Sequence, residues 1–183
     1  MDDKIIQTKS MGVTYRGDVS VKLVRNKDTV RQVKTHNTGT LSLFKYIGLA
    51  MMGDVSAYQH MPNFIHTYFW DSSTASSDYM FDNSTCIMNV PVSTKDIYID
   101  SNKGVARIEL TFLIPYSQIW GQTNILALYG TTGFNYSENG VTVNDKEPLA
   151  YVDLGDDIID VDVDSTNVLV DWTITIRNDE EAV

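Results

Sequence analysis

A single cysteine in 183 residues cannot close an internal disulfide, which excludes a disulfide-stapled secreted domain. Cys86 has no base beside it in sequence and reads as a small, buried hydrophobe. Cations are also scarce. Lys and Arg number 14 against 24 Asp and Glu, for a formal net charge of −10. A nucleic-acid groove needs clustered cations and an anionic membrane surface attracts them, so neither partner is expected. No apolar run approaches the roughly 20 residues of a membrane-spanning helix. The opening "MDDKIIQTKS" is polar, without a long apolar run, and shows no secretion signal, so synthesis in the cytoplasm is expected. Hydrophobic residues, by contrast, make up 43% of the chain, enough for a sizeable core.

The apolar residues are arranged mostly with a period of two. "VSVKLVRNKDTVRQVKTH" alternates on both sides of Asn26-Lys27-Asp28, with Val19, Val21 and Leu23 on one face, and predicts a hairpin. "NFIHTYFW", "STCIMNVPV", "DIYID", "VARIELTFLIP", "NILALYG", "LAYVDLG", "IIDVDVD" and "NVLVDWTITIRN" are further strand candidates. In "VARIELTFLIP", Val105, Ile108, Leu110, Phe112 and Ile114 form the apolar set, with an irregularity near Ala106. Residues 130 to 148, rich in Gly and Asn, read as a long loop.

One segment breaks the pattern. Leu41, Phe44, Ile47 and Met51 recur at helical spacing, widened by Leu43 and Ala50, and predict an amphipathic helix near residues 40–52 packed through that stripe. Thr38 or Thr40 can cap its start and Gly53 can close its end. The expected fold is therefore mainly β, an antiparallel sandwich of jelly-roll or immunoglobulin-like type carrying one helix. Residues 1–17 are expected to be an N-terminal arm or edge strand, 18–178 the sandwich domain and 179–183 a frayed tail.

Chemistry-bearing residues are few. Asp160, Asp162 and Asp164 alternate along one strand face, about 7 Å apart, beside Asp156 and Asp157. Calcium would satisfy such carboxylates with oxygen ligands. The spacing through Asp171 departs from the calcium-loop pattern, because Ser165 stands in place of its Gly and Asp171 in place of its Glu. A solvated edge kept from pairing by its charges is the preferred reading. His36, His60 and His66 lack zinc spacing, and no nucleophile–base order stands out, so no catalytic residue is assigned. Lys22, Arg25, Lys27, Arg31 and Lys34 make the hairpin basic within an acidic chain, either as a solvated face or as a surface that docks an acidic partner. Tyr58, Tyr68, Trp70, Tyr79, Phe81, Trp120, Phe134 and Tyr136 fall in or beside loops and could serve a protein interface or a sugar platform.

The basic hairpin, the "HNTGT" turn, the helix, "MPNFIHTYFW", "ARIELTFLIPYSQIWG", "ILALYG" and the final "LVDWTITIRN" follow one another in an order that resembles small β-rich accessory proteins of tailed bacteriophage particles, those of crAss-like phages among them. The resemblance spans about residues 19 to 178. It departs at "DSSTASSD", where a small Gly/Thr turn would be expected. It implies a virion structural role without catalysis, in the tail, neck or fibre attachment or as head decoration. Other virion proteins and further copies of the chain would be its partners. It carries over no site residues. A carbohydrate- or receptor-binding module, calcium-dependent through the aspartates, is the alternative expectation.

Overall fold

The alternation of Val19, Val21 and Leu23 becomes the buried inner face of a long first strand. The computed structural model describes residues 12–51, 62–69, 81, 86–116, 122–131, 135–138, 141–144, 146–160 and 166–179. In chain order the elements are β1 (Gly12–Arg25), β2 (Asp28–His36), β3 (Thr38–Gly39), α1 (Leu41–Met51), β4 (Phe64–Tyr68), β5 (Met88–Pro91), β6 (Thr94–Asp100) and β7 (Val105–Ile114). They continue with β8 (Gln122–Thr123), β9 (Ile125–Tyr129), β10 (Asn135–Glu138), β11 (Val141–Asn144), β12 (Ala150–Asp153), β13 (Ile159–Asp160) and β14 (Asn167–Asp179).

Two five-stranded antiparallel sheets result, in the orders β2-β1-β14-β7-β6 and β3-β12-β9-β4-β5. The pairs β10-β11 and β13-β8 stand apart from them. Apolar residues of both large sheets meet in one core: Val21, Phe112, Val170 and Trp172 from the first, Ile65, Leu126, Leu128 and Val152 from the second. This is the antiparallel sandwich with one helix that the patterning predicts. The chain passes between the sheets at β2–β3, β5–β6, β7–β9 and β12–β14.

Local chemistry fixes each turn of this path. Asn26 and Lys27 have φ of 52° and 74°, the positive φ at both central positions that a type I′ hairpin turn needs. Leu23 pairs with Arg31 and Val24 with Thr29, so Val30 bulges out and stands 57% exposed. Past the end of β2, the Asn37 amide donates to the Gly17 carbonyl at 3.0 Å and the Tyr15 hydroxyl donates to Asn37 Oδ1 at 2.9 Å. The Asn37 side chain lies so close over Gly17 that an added Cβ would sit 1.6 Å from its Oδ1. Glycine is the residue that lets the strap cross here. Residues 12–17 are thus the opening half of β1, paired with β14 on one side and beyond the reach of β2 on the other. Residues 1–11 lie outside the described residues.

Three sequence expectations need correction. First, the helix exists, but its buried face is not the Leu41–Phe44 stripe. Ser42 and Leu43 are buried, while Leu41 is 68% and Phe44 53% exposed. Thr40 sets this rotation. Its amide donates to the Leu149 carbonyl at 3.0 Å, its hydroxyl donates to the Pro148 carbonyl, and its Oγ1 caps the helix by accepting the Leu43 amide at 3.4 Å. Second, β7 has no irregularity at Ala106. Its register against β14 runs unbroken, Ala106 faces the same side as Ile108 and Leu110, and Val105 points to the other. Third, the long loop of residues 130 to 148 contains the β10–β11 hairpin, and Lys45 of the helix reaches the Thr142 carbonyl on it at 3.1 Å. Gly53, the expected helix stop, lies outside the described residues.

Candidate functional site

Every second residue of β1 faces away from the core, and β2 and β14 lay their own polar residues beside it. The outer face of the first sheet therefore carries a charged ladder. Arg16 Nε lies 3.0 Å from Asp18 Oδ2, and His36 Nδ1 lies 2.7 Å from Asp18 Oδ1. Partial burial works against the Asp18 carboxylate, but hydrogen bonds and charge from Arg16 and His36 outweigh it and hold its pKa below the usual carboxylate value. Next along the ladder, Lys22 Nζ meets Asp171 Oδ2 at 2.6 Å, and Asp171 Oδ1 accepts from the Thr111 hydroxyl at 3.2 Å. A shallow groove of about 530 Å³ runs here, lined by Arg16, Asp18, Ser20, Lys34, His36 and Asp171.

The five cations singled out from sequence do not form one free surface. Lys22 is held by Asp171, and Arg25 Nε donates to Thr166 Oγ1 at 3.3 Å. Arg31 donates to Asp157 Oδ1 at 2.6 Å and to the Ile158 carbonyl at 3.3 Å. The basic hairpin thus binds the acidic C-terminal third of its own chain. Lys27, in the turn, and Lys34, on the groove, are exposed and make no ion pair among the described residues. Of the candidate calcium ligands, Asp160 ends β13 opposite Gln122, whereas Asp162 and Asp164 lie outside the described residues. Among the described residues, no group of three His, Cys, Asp or Glu converges as a metal site would require.

A second cluster, missed by the sequence reading, covers the outer face of the second sheet. Phe64, Tyr68, Ile125, Ala127 and Tyr129 are buried there, and Phe81, Cys86 and Tyr151 pack against them. Central β9 is consequently buried on both faces, and its unbroken apolar run "ILALY" was the signal for that. Of the loop aromatics, Tyr68 is core and Phe81 closes over it edge-on. Tyr58, Trp70, Tyr79, Trp120 and Phe134 lie outside the described residues. The His66 ring lies tilted at 4.4 Å from the Tyr129 ring, its Nδ1 is 3.1 Å from the Tyr68 hydroxyl, and that hydroxyl is 3.0 Å from Tyr129 Oη. Burial raises the Tyr129 phenol to about 12, against the opposing hydrogen bond from Tyr68. Burial also pushes the Cys86 thiol up, and its Sγ donates to the Met88 carbonyl at 3.2 Å. Tyr129 and Cys86 are therefore neutral near pH 7.

Burial lowers the His66 pKa below its ordinary 6.5. A depressed imidazole pKa means that the unfolded chain binds the proton more readily. The contribution of the neutral ring is therefore present above pH 6.5 and is lost as pH falls through that value toward the folded pKa. Stability should drop as pH falls below 6.5, and His66→Gln should flatten that slope in urea titrations at each pH. An equal slope in both proteins would refute the assignment.

Comparison of the chain with protein-family models, with curated proteins and with solved structures gave no match.

Proposed function

We propose that this chain is a non-enzymatic structural and assembly protein of a tailed-phage particle, placed in the tail, neck or fibre attachment or as head decoration. The observation that carries the reading is that exposed large apolar side chains stand at more than one place on the surface, among them the start of α1 and the strand β6. Leu41 and Phe44 stand at the start of α1, where the Phe44 ring meets Tyr15 of β1 edge-on at 6.2 Å. Ile97, Tyr98 and Ile99 stand on β6, three strand spacings or roughly 14 Å from β1. A subunit that meets neighbours on more than one side needs more than one such surface, whereas a small-molecule binder concentrates its apolar surface in one concave site. The order of sequence features that resembles phage accessory proteins supports the same reading. With Lys22, Arg25 and Arg31 engaged internally, Lys27 and Lys34 are the hairpin cations left to steer a partner.

Mass spectrometry of purified parent particles should find the chain at a fixed stoichiometry. Phe44→Asp should keep the melting transition and lose incorporation. Absence of the chain from particles, or full incorporation of that variant, would reject the reading. Glycan-array binding abolished by chelation would support the carbohydrate- or receptor-binding alternative in its place.

A further inference from the structure

The two large sheets have four outer strands, and they are protected unequally. β3 is two residues long, and β5 is four residues long and ends in Pro91, which has no amide hydrogen to offer. β2 is longer, but it bulges at Val30 and carries Arg31 and Lys34. Lys95 puts a cation on β6 too, its Nζ donating to Asn63 Oδ1 at 3.3 Å, but β6 has neither a bulge nor a proline. Its seven residues, "TKDIYID", pair with β7 in unbroken register and contain no proline. Ile97 and Ile99 are 65% and 71% exposed although they sit opposite Ile108 and Ala106, on the face that elsewhere forms the core. An apolar groove beside them is lined by Ile99, Gly104, Val105, Ala106 and Ile176. Among the described residues nothing pairs with the far side of β6, and an edge with exposed apolar side chains is the kind that accepts another strand.

We infer that the edge of β6 is a self-association surface, on which a second copy of this chain adds its own β6 antiparallel about a two-fold axis normal to the sheet. The inference rests on the reading of the chain as an assembly protein and identifies one of its contacts. The sequence of the strand argues for a second copy as the occupant. A two-fold of this kind keeps the same face inward in both copies, so a residue at the axis meets itself and its neighbours pair symmetrically. An axis at Asp96 opposes Asp96 to itself. An axis at Tyr98 opposes Asp96 to Asp100. An axis at Ile97 opposes no like charges and uses the whole strand: Thr94 with Asp100, Lys95 with Ile99, Asp96 with Tyr98 and Ile97 with Ile97. On the inner face, the aliphatic stem of Lys95 then covers Ile99 of the other copy. On the outer face, the carboxylate of Asp96 approaches Tyr98, whose ring carries the Arg107 guanidinium at 5.1 Å.

Analytical ultracentrifugation of the full chain up to about 100 μM should show a concentration-dependent dimer. Ile97→Lys should abolish it without moving the melting transition, because that side chain is already exposed. In a Cys86→Ser background, Ile97→Cys should form an intermolecular disulfide under mild oxidation. Paired antiparallel residues lie within disulfide reach, whereas Ile99→Cys faces Lys95 and should cross-link far more slowly. A chain that stays monomeric across this range overturns the inference. It does so whether the Ile97→Cys thiol reacts freely with a labelling reagent or is protected by the chain's own residues. Persistence of the dimer in Ile97→Lys, or equal cross-linking at positions 97 and 99, overturns it as well. Particle incorporation is scored separately, so loss of the dimer with intact incorporation sinks this contact alone.

Discussion

Trp172→Ala is expected to destabilise the protein by about 3–5 kcal/mol, the largest effect of any single truncation in the core. Trp172 is the largest of the fully buried side chains. It sits on β14, in the middle of the first sheet, directly between Val19 of β1 and Leu110 of β7. Its ring is part of the core shared by the two sheets, so its removal leaves a void that cannot collapse without moving both. Its indole N–H has no hydrogen-bond partner among the described residues. Trp172→Phe deletes that unmatched donor along with part of the ring, and its cost should be well under that of alanine. Urea unfolding followed by circular dichroism measures both. For a chain of this size, each kcal/mol lowers Tm by roughly 2–4 °C. A loss below about 1 kcal/mol for the alanine variant would mean that Trp172 does not bridge the sheets.

The second large effect distinguishes two adjacent residues of the helix. Leu43→Ala should cost about 2–5 kcal/mol and Phe44→Ala under about 1 kcal/mol, although phenylalanine is the larger side chain. Leu43 is 3% exposed and its Cδ2 would lie 3.1 Å from a Cβ built on Gly39 of β3. Phe44 is half in solvent. The reverse order of costs would restore the stripe read from periodicity and contradict the helix rotation set by Thr40.

That contrast marks what can be read from a sequence of this kind. Strand alternation states which face of an element is apolar, and Val168, Val170, Trp172 and Ile174 lie on the buried side as their spacing says. The hairpin about Asn26-Lys27 and the start of the helix were legible because turn and cap chemistry is local. The rotation of the helix was not, because it depends on the carbonyls of Pro148 and Leu149, more than 100 residues away. The β10–β11 hairpin left a local mark that went unused: Asn139-Gly140 stands between its two strands. The candidate site was half legible. The basic run on the hairpin is plain in sequence, but its counter-charges are not, since Lys22 finds Asp171 across 149 positions and Arg31 finds Asp157 across 126. Likewise "DIYID" reads as a strand, but only the sheet order shows that nothing pairs with its far side among the described residues.

The pairing of β1 with β14 has a consequence for synthesis. These two strands hold thirteen residue pairs, from Gly12 with Asp179 to Val24 with Asn167. Until β14 leaves the ribosome, the β1–β2 and β6–β7 hairpins have no sheet to join, and the half of the core that belongs to Trp172 is missing. The nascent chain carries the apolar face of the β1–β2 hairpin uncovered while residues 37 to 166 are made, and that of the β6–β7 hairpin while residues 115 to 166 are made. Closure is then a single late event across the longest loop the fold contains, which is the regime of slow, topology-limited folding. Ribosomes crowded on one messenger would hold many such half-made sheets side by side, and the charges along β1 and β2 would help keep them apart until the final strand arrives.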